Sequence, residues 1–459
     1  MGEAERPASS ADQPTHHLCV LIHGLWGNPQ HMAFVASSLR ERHPEPTFHI
    51  LLAKSNSGSF TYDGVERGGE RVTFEVEEAL DDYARKGQEI MKLSVVGYSL
   101  GGLVARYCIG LLYSRGCFDQ IEPVNFATFA TPHLGVRTPV KGVQQQLWNL
   151  IGSRTLSDSG RQLFTIDSFR DTGRPLLSLL ADPDSVFIRA LAQFKHRVLY
   201  TNVVNDRTAA YYTTSISRVD PYTDINAVRV NYVEGYGDII VDRDCPVSAL
   251  EEEETPTSFD KVVKRTQDLV TNLPTMAGLA LFVPIGCVIY LLNAAVQIAR
   301  SNQRIRLHEA GQAGIGIASY RIPLMVENVQ RAVEGAMQDF HPKEGQTYEP
   351  ANGHANGSGN GNGKASAPIA NGNGNGNGNG SHVKPYSAPA EPTFPTLALS
   401  PAQFDMIDTL DSAPVRFTKH PVHIRIRRSH AAIIVREDKE AWYDGKTVIR
   451  HWLDKEFEV

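Results

Sequence analysis

Ser94-Val95-Val96-Gly97-Tyr98-Ser99-Leu100-Gly101-Gly102 reads as the end of an apolar strand, a sharp turn and the start of a helix. The five residues before Gly97, Lys92 to Val96, are rich in strand formers, and Leu103, Val104, Tyr107 and Leu111 then recur at helical spacing. A serine between two glycines at this junction is a nucleophile elbow: the strained turn lifts the hydroxyl clear of the sheet, and glycines two residues to either side avoid Cβ collisions. A Gly-x-Ser-x-Gly match alone is a weak signal, and the strand-turn-helix context raises it. Ser99 is the candidate nucleophile, with Gly97 and Gly101 as its supporting glycines.

Outward from the elbow, short apolar strands alternate with helices. His17 to Ile22 and Thr47 to Ala53 read as strands, Pro29 to Glu41 and Tyr62 to Lys86 as helices, and Val124 to Phe129 as a further strand. That rhythm predicts an α/β fold with a mostly parallel central sheet covered by helices on both faces. Val140 to Leu191 reads as several short amphipathic helices, including Pro175 to Leu180 and Val186 to Leu191, expected as a helical cap inserted between two sheet strands. Arg197 to Val204 returns to strand composition, Val415 to Val435 has strand character, and Gly445 to Phe457 reads as a closing amphipathic helix.

An activated serine needs a base, and the base needs an acid to orient it, because a free hydroxyl is barely ionised near neutral pH. After an elbow of this kind the chain order is Ser, then Asp or Glu, then His. Asp206 lies just beyond the strand ending at Val204; Asp224, Asp238 and Asp242 are rivals that follow no comparably clear strand. His430 lies between the last strand-like stretch and the closing helix, whereas His420 and His423 fall at or inside the strand. The oxyanion requires two backbone N–H donors, one from the residue after the nucleophile and one from a loop after an early strand. Leu100 supplies the first. The glycine-bracketed turn His23-Gly24-Leu25-Trp26-Gly27 offers the amide of Leu25 as the second. His23 precedes Ser99, against the expected order, so it shapes the loop.

The chain of 459 residues carries a net charge of −6, which gives no basic signature for nucleic acid. Its five cysteines, Cys19, Cys108, Cys117, Cys245 and Cys287, form no Cys-x-x-Cys pair. They suggest neither a disulfide framework nor a zinc site, and reduced intracellular surroundings are expected. Met1 to Gln13 has no apolar run of the secretory type.

Five stretches in order, His23 to Asn28, Gly97 to Leu103, Thr131-Pro132-His133-Leu134-Gly135, Asn205-Asp206-Arg207-Thr208 and Ser429-His430-Ala431-Ala432-Ile433, resemble the putative serine esterase family, whose members are similar to fungal lipid-particle lipases. The resemblance covers residues 17 to about 240 and 415 to 457. It implies an α/β-hydrolase fold and an intracellular acylglycerol lipase or phospholipase, with a lipid substrate, no cofactor and no metal. By motif position its triad falls on Ser99, Asp206 and His430. It implies a lipid droplet or the cytosolic face of the endoplasmic reticulum membrane as location. Ala209-Ala210 is a departure, since relatives tend to carry valine and proline there. His133 belongs to a recurrent lipase turn and is expected to be structural.

The expected organisation is a disordered N-terminus (1–15), a first core part (16–139), the helical cap (140–195) and a core strand with the acid loop (196–245). An insertion (246–345), an Asn-Gly linker (346–398) and a C-terminal core part with the histidine (399–459) follow. The linker composition cannot bury enough apolar surface to fold. Val270 to Ala299 contains no Asp, Glu, Lys or Arg. As one helix it is about 45 Å long at roughly 1.5 Å per residue, enough for a bilayer core of about 30 Å. A single crossing would part Asp206 from His430, so a hairpin broken near Pro284 and Gly286 and dipping into one leaflet of a membrane or droplet monolayer is expected, or else packing in the cap. Lys261, Lys264, Arg265, Arg300, Arg304 and Arg306 would flank it on the cytosolic side. Two alternatives remain: a thioesterase or small-ester carboxylesterase with the same triad, and a non-enzymatic membrane tether.

Overall fold

The computed structural model describes residues 15–137, 157–249, 292, 294–312 and 394–459. Among the described residues six strands form one sheet: β1 (His16–Ile22), β2 (Phe48–Leu52), β3 (Ile90–Tyr98), β4 (Glu122–Phe129), β5 (His196–Asn202) and, after a separate two-stranded pair β6 (Val228–Val230) and β7 (Val247–Ala249), the edge strand β8 (Thr418–Val422). Their order is β2-β1-β3-β4-β5-β8, and every neighbouring pair is parallel. All seven residues of β1 and the last six of β3 are buried. Strands with helices on both faces are buried along their length in this way.

One face is covered by helices α2 (Val65–Arg85) and α3 (Leu100–Ser114) together with helix Val186–Gln193, around a core that includes Leu103, Val104, Phe126, Phe187 and Phe194. The other face is covered by α1 (Ala33–Arg42) and the closing helix Tyr443–Lys455, which join Val35, Leu39, Tyr98, Phe129 and Trp452. Strand order reverses at β1, with β2 on one side and β3 on the other. Crevices at the carboxyl ends of strands at such a switch point are where ligands bind in open α/β sheets.

Several boundaries differ from those expected. Pro29–Met32 is a 3-10 turn, and the helix proper begins at Ala33. Helix Val186–Gln193 lies along α3 as part of the layer that covers the sheet, while helix Ser157–Leu163 packs on α2 and on the 3-10 turn Gly58–Tyr62. Of the strand-like stretch Val415 to Val435, only Thr418–Val422 joins the ladder, and Ser429–Ala432 is a short helix. Ile424, Ile433 and Ile434 are buried in the core beneath the closing helix, so their apolar character serves packing off the sheet. Residues 394–398, expected inside the linker, are also held. Phe394 packs against Val203, Tyr222, Val241 and Val247, and the Leu397 N–H donates to the Arg218 carbonyl at 2.8 Å. The rest of that stretch, residues 1–14 of the N-terminus and all of 270–299 except 292 and 294–299 lie outside the described residues. Residues 294–299 begin a helix that runs over 294–309. Among the described residues, no helix is long and apolar enough to cross a membrane.

Candidate active site

β3 ends at Tyr98, and Ser99 takes φ 55° and ψ −127° before α3 begins at Leu100. A non-glycine residue there is strained, and the surrounding contacts hold it. The Ser99 N–H donates to the Phe129 carbonyl at 2.9 Å, and the Ser99 carbonyl accepts from Gly102 N–H at 3.1 Å. A side chain at Gly97 would come within 2.4 Å of Gly102 Cα, and one at Gly101 within 2.3 Å of the Ile22 carbonyl oxygen. Both glycines are therefore fixed by the close passage of backbone around the serine.

The loops that leave β5 and β8 bring two further side chains to Ser99. His430 Nε2 lies 2.9 Å from Ser99 Oγ, and His430 Nδ1 lies 2.8 Å from Asp206 Oδ2. Asp206 is almost wholly buried, with 2% of its side chain exposed against 14% for His430. Its Oδ1 accepts from the Thr208 and Ala209 amides at 3.0 and 2.9 Å, and its Oδ2 accepts from Asn202 Nδ2 at 3.0 Å. Burial pushes the carboxyl upward, but the charge and hydrogen bond of His430, the Ala209 amide and Asn202 outweigh it and hold Asp206 below the usual carboxylate range. Ala209 supplies this contact through its backbone. Ala210 has φ −62°, a value proline also adopts, so the departure at these two positions leaves the acid loop intact. His430 is seated by its neighbour, because Ser429 Oγ–H donates to the Val204 carbonyl at 3.0 Å.

The rival residues are committed elsewhere. Asp224 caps the Ile225–Ala227 turn, Asp238 pairs with Arg425 at 3.1 Å, and Asp242 accepts from the Asp244 amide. His420 bonds Glu456 and His423 bonds Tyr232. His133 is fully buried, with Nε2 3.1 Å from Thr128 Oγ1, and burial lowers its pKa far below the usual histidine value.

The loop after β1 lies against the serine. An added Cβ at Gly24 would sit 2.8 Å from Ser99 Cβ and 3.0 Å from the Tyr98 carbonyl oxygen. Among the described residues, no hydrogen-bond acceptor takes the amides of Leu25 or Leu100. The Leu100 amide is the first of α3, where N–H groups have no partner within the helix. His23 is buried, with Nδ1 3.1 Å from the Gly24 carbonyl oxygen and Nε2 3.3 Å from Ser57 Oγ, and burial lowers its pKa. Through these bonds it braces the loop. Gly24→Ala is expected to reduce kcat for a soluble ester about a hundredfold, since displacing reacting groups by about 1 Å costs that much. Kinetics and a melting curve on the same preparation check it.

Sequence reasoning missed Asn202 as a partner of Asp206, because as the last residue of β5 it reads as an ordinary strand residue. Its spacing of four residues from the acid is the one available cue.

A parallel sheet with a reversal at β1, a strained serine turn after β3 and a Ser-His-Asp line drawn from three strand ends defines an α/β-hydrolase. Residues 12–217 match the family model described as Putative serine esterase (DUF676), and over those residues the chain is similar to that family. Ser99 and Asp206 fall inside the match and His430 beyond it. Putative lipase ROG1 of Saccharomyces cerevisiae is 31% identical over 220 residues, which are 46% of this chain and 30% of the relative. Putative lipase C4A8.10 of Schizosaccharomyces pombe is 29% identical over 286 residues, 56% of this chain and 35% of that protein. The chain thus matches about a third of the length of these relatives. Among solved structures, phospholipase PlaB from Legionella pneumophila is similar with 11% identity and a TM-score of 0.27, covering 44% of this chain and 42% of its own. An extracellular alpha/beta-hydrolase from Paenibacillus shows 18% identity and a TM-score of 0.20, covering 30% and 51%. The class rests on strand order and the serine turn, not on these two.

Proposed function

We propose that the protein is a serine-dependent lipid ester hydrolase, an acylglycerol lipase or phospholipase that works at a membrane or lipid-droplet surface inside the cell. The observation that carries the hydrolase reading is the continuous line from Asp206 through His430 to Ser99 Oγ, with separations of 2.8 and 2.9 Å. In this reading Ser99 Oγ attacks the ester carbonyl while His430 Nε2 takes its proton. Asp206 holds the imidazole by Nδ1–H and stabilises its positive charge. The amides of Leu25 and Leu100 receive the oxyanion. His430 then returns the proton to the departing alcohol and draws one from the water that frees the acyl group.

Two further observations support a lipid as the ester. Both yeast relatives carry the name lipase. Trp26, on the loop beside Ser99, is 50% exposed, and Phe60 and Leu307 nearby are 41% and 43% exposed. Large apolar side chains exposed together suit a greasy interface.

The test is fatty-acid release from monoacylglycerol, diacylglycerol and phospholipid dispersions, set against short soluble esters and acyl thioesters. Faster turnover of dispersed long-chain lipid than of monomeric ester supports the proposal. Turnover of soluble esters or thioesters alone favours a carboxylesterase or thioesterase.

A further inference from the structure

Helix 294–309 leaves the apolar stretch and lies on the turn that holds the candidate oxyanion loop. Its inner face sets Ser301, Arg304 and His308 beside the buried Ile305. Ser301 Oγ–H donates to Asp63 Oδ1 at 2.6 Å, and Arg304 donates to both Asp63 oxygens at 2.8 and 3.0 Å and to the Ser59 carbonyl at 2.7 Å. Asp63 has no exposed side-chain surface and also accepts from Arg71 at 2.7 Å. One turn further along the helix, His308 Nε2 lies 2.6 Å from Glu70 Oε2, both buried. The Phe60 ring sits 4.9 Å from each of the two guanidinium groups.

These contacts seize the 3-10 turn Gly58–Tyr62 from one side, and the turn grips the loop after β1 with the other. Thr61 Oγ1 accepts the Trp26 N–H at 3.0 Å while donating to the Gly58 carbonyl at 2.6 Å. Trp26 Nε1–H donates to Tyr62 OH at 2.8 Å, and the Gly58 N–H donates to the Gly27 carbonyl at 2.7 Å. Trp26 has φ 55°, a conformation a bulky residue keeps only when its surroundings impose it. It is the residue next to Leu25. An unbroken path of hydrogen bonds therefore runs from Arg304 and Ser301 through Asp63 and Ser59 into the turn, and from Thr61 to the backbone that aims the Leu25 amide.

We propose that helix 294–309 is a clamp on the oxyanion loop, with Arg304, Ser301 and Thr61 as positioning residues for the Leu25 amide. The inference rests on the reading of Leu25 as an oxyanion donor. A charged pair anchors the clamp because Asp63 is buried and needs its cations. Withdrawing Arg304 unbalances that carboxylate and frees the turn. None of the three residues touches the ester, so they act through the loop.

The experiment measures kcat and KM on a short soluble ester for the wild type, Arg304→Ala, Arg304→Lys, Ser301→Ala and Thr61→Val. It also records the 19F resonance of 5-fluorotryptophan at position 26, assigned by its loss in Trp26→Phe. Removing an oxyanion donor outright costs about 10²–10³ in kcat, so loosening one predicts a fall of roughly tenfold in Arg304→Ala and in Thr61→Val. KM should stay near the wild-type value, the Trp26 resonance should move, and Arg304→Lys should recover part of both. The double variant Arg304→Ala with Thr61→Val should be no worse than the poorer of its two singles, because both act on one device. A folded Arg304→Ala with wild-type kcat and an unmoved resonance overturns the clamp. If Arg304→Ala fails to fold, Ser301→Ala and Thr61→Val decide by the same two readouts. A wild type that hydrolyses no ester defeats the hydrolase reading instead, and the resonance alone then decides whether the helix holds the loop.

Discussion

Ser99→Ala is expected to lower ester turnover by about five to six powers of ten, the scale on which loss of a triad nucleophile acts. The hydroxyl is the only group the substitution removes. Alanine keeps the Cβ that already tolerates φ 55°, and the Ser99 N–H and carbonyl bonds to Phe129 and Gly102 are backbone bonds that survive. The melting temperature should therefore stay within a few degrees of the wild type. Turnover measured at saturating substrate, with a melting curve alongside, checks both halves. A loss of turnover together with a loss of fold would assign Ser99 to structure.

Asp206→Asn is expected to lower kcat by roughly four powers of ten. The amide has the carboxylate's shape, so Oδ1 can keep the Thr208 and Ala209 amides. Its NH2 group facing His430 Nδ1 favours the tautomer with the proton on Nε2, which cannot accept the Ser99 proton. Asp238→Asn, at a carboxylate paired with Arg425 on the surface, should leave kcat unchanged. A stability consequence follows from the depressed Asp206 carboxyl. A group whose folded pKa lies below its unfolded value, about 3.9 for aspartate, contributes fully above that value and loses the contribution as pH falls toward the folded one. The stability gap between wild type and Asp206→Asn should thus be level near neutral pH and shrink below about pH 4. Equal melting temperatures at every pH would contradict the Asp206–His430 interaction.

The elbow was legible because its chemistry is local: Gly97 and Gly101 must be glycines for backbone to pass within contact of Gly102 and Ile22, and Ser99 stands between them. Asp206 and His430 were legible from chain order, each placed after a strand-like stretch. What escaped was long-range. The apolar residues between Ile424 and Val435 carry a strand's composition but pack beneath the closing helix, and nothing local distinguishes the two uses. Arg304 reads in isolation as part of a basic flank for a membrane hairpin, whereas its guanidinium is bound to Asp63, which lies 241 positions earlier. Ser301, Arg304 and His308 do fall on one helical face. That stripe was the visible cue, and its partners on Asp63 and Glu70 could be identified only once the chain was folded.

The most direct test of Ser99 as the nucleophile is mass-spectrometric mapping of the wild-type protein after reaction with a fluorophosphonate, with residual hydrolysis followed in the same sample. The account predicts one adduct per chain, on Ser99, with activity lost in proportion to labelling. An adduct on another residue, or undiminished hydrolysis by protein fully labelled at Ser99, would contradict it.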